Sequence, residues 1–166
     1  MSDQKVSVLG LLIAAGFILN GVGVFTPAWL VDTVSAGGYS ISASAGIVPF
    51  YSANLGWFNA ASILMYFTFA EFILMAFMYC IIFSRVHKNG YSCGLRRSFY
   101  SMALGALVIV GFTVTSVILI GVNMSSLGDY WQKWTLGYSA WLCIVSAATC
   151  VGIFGLSIHI ATRDCH

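Results

Sequence analysis

The chain has 166 residues, enough for one domain, of which 60% are apolar and only 7% charged. A soluble domain carries about 25% charged residues, so seven basic and five acidic side chains would leave a water-facing surface almost unsolvated. A water-soluble fold is therefore excluded, lipid must face most of the protein, and a net charge of +2 with no basic stripe argues against a nucleic-acid partner.

A helix needs about 20 apolar residues to cross the bilayer core, and four stretches supply them. The first is residues 6–25, stopped by Thr26-Pro27. It is longer than a signal-peptide core and no small-x-small site follows, so it is expected to be retained. Residues 26–57 form the first outer loop. In it, Trp29-Leu30-Val31-Asp32-Thr33-Val34 is extended in character, Tyr39 to Ala45 alternates with period two, and Gly37-Gly38 stands between them. That pattern predicts a β-hairpin with a tight primed turn. A third short run at 47–51 is a further strand candidate, confined to an edge or a bulge by Pro49.

The second span is 58–83. Glu71 is the only acidic residue deep in a span, and an ionisable group there points by default to function. Its expected partners are Asn20, Thr113 or Ser116. An interhelical hydrogen bond, worth around 0.6 kcal/mol, is favoured over ion or proton handling because no further titratable group stands at that depth. A loop at 84–98 carries Cys93, the third span is 99–122, and the second outer loop is 123–135. That loop holds Asp129, Trp131 and Lys133, and it opens on Asn123-Met124-Ser125, an N-glycosylation sequon close to the bilayer. The fourth span is 136–161, with His159 near its inner end, and the tail 162–166 contains Cys165. Cys93 and Cys165 are candidates for S-palmitoylation, whereas Cys80, at the end of the second span, is expected to be an inert thiol. Gly10 and Ala14, Ser101 and Gly105, and Ala148 and Gly152 place small residues four apart on the first, third and fourth spans, as close helix approach requires.

Lysine and arginine set the orientation. Lys5, Arg85, Lys88, Arg96, Arg97 and Arg163 share one side and Lys133 alone lies on the other. Both termini and the middle loop are expected in the cytoplasm. Trp29, Trp57, Tyr130, Trp131 and Trp134 fit an aromatic belt at the outer surface. The fold expected is a single all-α membrane domain, a left-handed bundle of four transmembrane helices capped by a small extracellular antiparallel β-sheet from the first outer loop.

Four spans, inside termini, a larger first outer loop with β character and a short second one resemble the claudin superfamily, which includes claudins, the peripheral-myelin-protein group and stargazin-type channel subunits. Pro27-Ala28-Trp29 is similar to the family's Pro-x-Trp at the start of the first strand. Leu55-Gly56-Trp57 resembles its Gly-Leu-Trp element with the first two residues exchanged. Lys133-Trp134-Thr135-Leu136-Gly137-Tyr138-Ser139-Ala140-Trp141 looks like the start of its fourth span. Claudins carry two cysteines in the first outer loop that form a disulfide, but all five cysteines here lie elsewhere. The tail ending Asp164-Cys165-His166 also differs from the Tyr-Val type that binds scaffold domains.

The resemblance implies a protein acting through protein–protein contacts at cell junctions, in adhesion or as a paracellular barrier. The alternatives are an auxiliary subunit of an ion channel or receptor and, more weakly, a small transporter or channel using Glu71. Partners are the bilayer and other membrane proteins, either further copies of this chain or a channel or receptor. Recognition would be carried by Trp29, Asp32, Tyr39, Tyr51 and Trp57 of the first loop and Asp129 and Trp131 of the second. Asp32 would either line a paracellular path or be a solvated loop carboxylate. No enzyme is expected, and no cofactor or small-molecule substrate. There is no Cys-x-x-Cys, no clustered metal ligands, no Gly-x-Ser-x-Gly and no phosphate loop.

Overall fold

A computed structural model describes residues 2–36, 39–47, 55–90, 93–124 and 133–163. The elements in chain order are α1 (Ser2–Phe25), β1 (Leu30–Ala36), β2 (Tyr39–Ala45), α2 (Gly56–Asn89), a 3₁₀ turn (Cys93–Leu95), α3 (Arg96–Asn123), β3 (Lys133–Leu136) and α4 (Tyr138–Arg163). All four α-helices are long and apolar enough to cross a membrane. At 34 residues, α2 is about 51 Å long against a hydrocarbon core of roughly 30 Å; it continues past Phe83 and carries Arg85, His87 and Lys88 on its last turns. It stops at Gly90, whose φ of 71° favours glycine and whose N–H donates to the Val86 carbonyl at 2.9 Å.

The helices form a ring in which α1 packs on α2 and α4, and α3 packs on the same two. Their buried positions recur at alternating steps of three and four: Val6, Leu9, Ile13, Gly16, Asn20 and Gly23 on α1, and Ser139, Cys143, Ser146, Cys150, Ile153 and Ser157 on α4. On α3 the same steps run through Phe99, Met102, Ala106, Ile109, Thr113, Ser116 and Ile120. A seam of period 3.5 is that of left-handed bundles packed knobs into holes. Outside it, Leu11, Phe67, Phe77, Leu104 and Val122 are well exposed, because their environment is lipid.

Small residues set the approach of α1 to α4. A β-carbon at Gly16 would stand 2.7 Å from Thr149 Oγ1, and one at Gly23 would collide with Cys143 Sγ and lie 2.9 Å from the Ser139 carbonyl. Ser146 Oγ donates to the Gly16 carbonyl at 2.7 Å, closing the seam with a polar bond. The small pairs expected to mediate packing behave differently. Ala14, Ser101, Ala148 and Gly152 are exposed, Gly10 receives the Tyr79 ring, and Gly105 receives the Glu71 side chain.

One three-stranded antiparallel sheet, ordered β2-β1-β3, caps the end of the bundle opposite the termini. The hairpin pairs Leu30 with Ala45 through to Ala36 with Tyr39, and its connecting pair Gly37-Gly38 lies outside the described residues. The third strand does not come from the first loop. It is Lys133–Leu136, which pairs with β1 from Thr33↔Lys133 to Leu30↔Leu136. Sequence hydropathy assigns this stretch to the approach of the fourth span, because Leu136 begins an apolar run. Pro49 and its neighbours, from 48 to 54, lie outside the described residues.

If the α1–α4 seam is set by its glycines, Gly23→Val should destabilise the purified protein by about 2 kcal/mol or more through overpacking. Gly111→Ala, at a site with no atom within 4 Å of the new carbon, should leave it unchanged or slightly more stable. Thermal unfolding in one detergent, followed by tryptophan fluorescence, reads both.

Candidate contact site: the sheet and its seat on the bundle

The chain leaves α1 through Thr26-Pro27-Ala28-Trp29, where a proline and an extended backbone end the helix. Trp29 is fully buried. Its indole N–H donates to the Gly23 carbonyl of α1 at 2.8 Å, and its backbone N–H donates to the Ala45 carbonyl of β2 at 3.0 Å. Its own carbonyl accepts from the Gly137 N–H, just before α4, also at 3.0 Å. One residue thus fastens the helix end, the hairpin and the start of α4. Around it pack Val24, Leu30, Ile47, Phe58, Met65, Ile120, Ala140 and Cys143.

Ser139 completes the fastening. Thr26 Oγ1 donates to the Val22 carbonyl at 2.6 Å, the Thr26 and Ser139 hydroxyls share a hydrogen bond at 2.7 Å, and Ser139 Oγ also reaches the Thr26 carbonyl at 3.3 Å. The same Ser139 oxygen accepts from the Ala28 N–H at 3.2 Å, and the Ser139 N–H donates to the Ala28 carbonyl at 3.2 Å. Gly137 is required here because a β-carbon would overlap the Ala28 carbonyl oxygen. Sequence reading missed Gly23, Gly137 and Ser139. The signal for the last two is their place within the Lys133–Trp141 motif.

Alternation along β1 decides which side chains face the bundle. Leu30 and Asp32 share one face, and both are buried. Their cross-strand partners on β3 are Leu136 and Trp134. Val31, Ser44 and Thr135 share the other face, with Ser44 and Thr135 exposed. Asp32 is therefore not a solvated loop carboxylate, and at 5% exposure it does not line an open path. Its Oδ1 is buried without a hydrogen-bond partner, and so is Nε1 of the paired Trp134.

The remaining sequence candidates separate into placed and unplaced. Trp57 opens α2 half-buried, edge-on to Phe58 with ring centroids 5.7 Å apart. Tyr39 begins β2, but its side chain lies outside the described part, as does that of Cys93 in the 3₁₀ turn. Tyr51, Asp129, Trp131 and Cys165 lie outside the described residues altogether. Asn123 ends α3, and its Nδ2, the atom that a glycan would occupy, donates to the Leu119 carbonyl at 2.8 Å. Cys80 is exposed on α2, while Cys143 and Cys150 are buried in α4.

Glu71 does not meet the partners expected for it. Asn20 Nδ2 donates to Thr68 Oγ1 at 3.3 Å. Thr68 in turn donates to the Met65 carbonyl at 2.7 Å, leaving Asn20 Oδ1 buried and unmatched. Ser116 bonds carbonyls of Phe112 and Ala61, and Thr113 Oγ1 is buried without a partner. The Glu71 carboxylate instead fills the space over Gly105, with Oε1 2.7 Å from where a β-carbon would stand. Thr113 lies eight residues further along α3, about 12 Å away by helix rise. Among the described residues no group of three His, Cys, Asp or Glu is placed to hold a metal ion.

A buried carboxylate oxygen with no partner is destabilising. Asp32→Asn should therefore raise the unfolding temperature in detergent by a few degrees, since it removes the charge and keeps the shape. A fall in that temperature would show that the carboxylate has a compensating partner.

Three features now stand together. A four-helix membrane bundle carries a sheet that draws strands from both loops of one end, and that sheet is seated by a tryptophan placed directly after the first helix. A search of curated proteins finds no match to the sequence. A family model described as "Tight junction protein, Claudin-like" matches residues 1–166. The chain is a multi-pass membrane protein that belongs to the claudin-like tight junction protein family.

Proposed function

We propose that this protein works at cell–cell junctions, in adhesion or as part of a paracellular barrier, through contacts made by its three-stranded sheet. The observation that carries this reading is the seating of the sheet. Strands from both loops at one end form a single unit fixed to the bundle at Trp29 and Ser139. A surface held that firmly loses little conformational entropy when a partner docks on it. Its exposed side includes Ser44 and Thr135, which suits a hydrogen-bonding contact between proteins.

The orientation in this reading puts the termini in the cytoplasm and the sheet outside the cell. The basic residues support it, with Lys5, Arg85, Lys88, Arg96, Arg97 and Arg163 at the terminal end and only Lys133 at the sheet end. A second reading, an auxiliary subunit of a channel or receptor, draws support from α2. Its membrane window is 22% buried within the chain against 39% for α3, and it exposes Phe67, Leu74 and Phe77. That face is broad enough for a partner's helices as well as for lipid.

The test is expression in cells that lack junction strands. The protein should concentrate at cell–cell contacts several-fold over free membrane, and Ser44→Arg with Thr135→Arg should remove the enrichment while leaving surface abundance unchanged. Diffuse staining of the unmodified protein would contradict the junctional reading. Recovery of a stoichiometric channel or receptor in mild detergent would favour the auxiliary one.

A further inference from the structure

A cleft opens between the first turns of α1 and the last turns of α2, at the end of the bundle away from the sheet. It measures about 160 Å³ and is lined by Val6, Ser7, Phe83, Val86 and His87. We propose that this cleft binds the upper part of one anionic phospholipid. The inference goes beyond the junctional reading and does not depend on it.

The geometry supplies both halves of such a ligand. On α2, the Tyr79 and Phe83 rings lie 5.9 Å apart at 32°, and the Phe83 and His87 rings stack 6.2 Å apart at 6°. These i, i+4 contacts build a ladder of three rings running from the charged end of α2 into its apolar part. Its deepest rung, Tyr79, seats against α1 at Gly10, where a side chain would leave it no room. Phe83 is 45% exposed, so the ladder presents an aromatic wall to lipid, with Val6 and Val86 beside it. An acyl chain lying along that wall gains contact with ordered rings at little loss of freedom.

The charges decide the headgroup. His87 lines the cleft, Arg85 and Lys88 are exposed on the same last turns of α2, and Lys5 precedes Val6 in α1. Near these helix ends the sequence sets against them only Asp3 and Asp164. Basic helix ends at the membrane surface attract anionic headgroups over zwitterionic ones. The cleft is far smaller than a whole lipid, so it holds the first stretch of one chain and seats the phosphate at its mouth, by His87, while the rest stays in the bilayer.

Native mass spectrometry tests the proposal on the full chain taken from nanodiscs of equimolar phosphatidylserine and phosphatidylcholine. Both leaflets are identical there, so the outcome is independent of which way the chain faces in a cell. The expected result is one retained phosphatidylserine, favoured about tenfold over phosphatidylcholine. His87→Ala with Lys88→Ala should abolish that preference. Arg96→Ala with Arg97→Ala removes at least as much charge outside the cleft and should leave it intact. Three results would each overturn the proposal: equal retention of the two lipids, equal loss in both double variants, or displacement of the lipid by excess inorganic phosphate.

Discussion

The hydrogen bond from the Trp29 indole to the Gly23 carbonyl joins the two halves of this protein, the part built for lipid and the part built outside it. A carbonyl near the end of α1 has lost its intrahelical donor, and left buried it would be a penalty of roughly 1–3 kcal/mol. Trp29 satisfies it while filling the space beneath the sheet with the largest apolar side chain available. Because the same residue's backbone bonds both Ala45 and Gly137, the position of the hairpin and the start of α4 follow from where that ring sits. Gly23 has to be glycine for the carbonyl to be reachable, since Cys143 and the Ser139 carbonyl already occupy the space around its α-carbon.

The bundle beneath is packed as its solvent requires. Lipid tails are as apolar as leucine, so burying leucine gains little, and association rests on close packing and interhelical hydrogen bonds. The sheet-proximal half of the α1–α4 seam accordingly holds Gly16, Asn20, Gly23, Ser139, Cys143 and Ser146, the other half continues through Leu9, Ile13 and Ile153, and Leu11, Phe67, Phe77 and Leu104 face outwards. Asn20 and Thr113 each keep a buried oxygen unmatched. Asn20 meets α2 at Thr68, whereas Glu71 is turned to α3 and stands over Gly105.

The apolar exterior also explains how far the sequence could be read. Hydropathy locates four spans because the signal is a sum over about 20 residues, and the Gly37-Gly38 pair between two extended runs locates the hairpin. Which face of each span is inside is nearly invisible, because both faces are apolar. A search for small residues four apart therefore selects Ala14, Ala148 and Gly152, which face outwards, and passes over the steps of three and four through Gly16, Asn20 and Gly23. Strand β3 escapes for a related reason. It has four residues and runs directly into an apolar helix, so only its pairing with β1 reveals it. Asp32 was misplaced by its charge, although alternation from Leu30 puts it on the buried face.

The central claim is that Trp29 couples the sheet to the bundle, and hydrogen exchange in Trp29→Phe tests it most directly. This substitution keeps a ring in the core while removing the donor to Gly23 and part of the indole's volume. The account predicts faster exchange across β1, β2 and β3 together, relative to the unmodified protein, with the terminal halves of the helices unchanged. Faster exchange confined to the residues next to position 29 would contradict it, because the sheet would then hold its place without that bond.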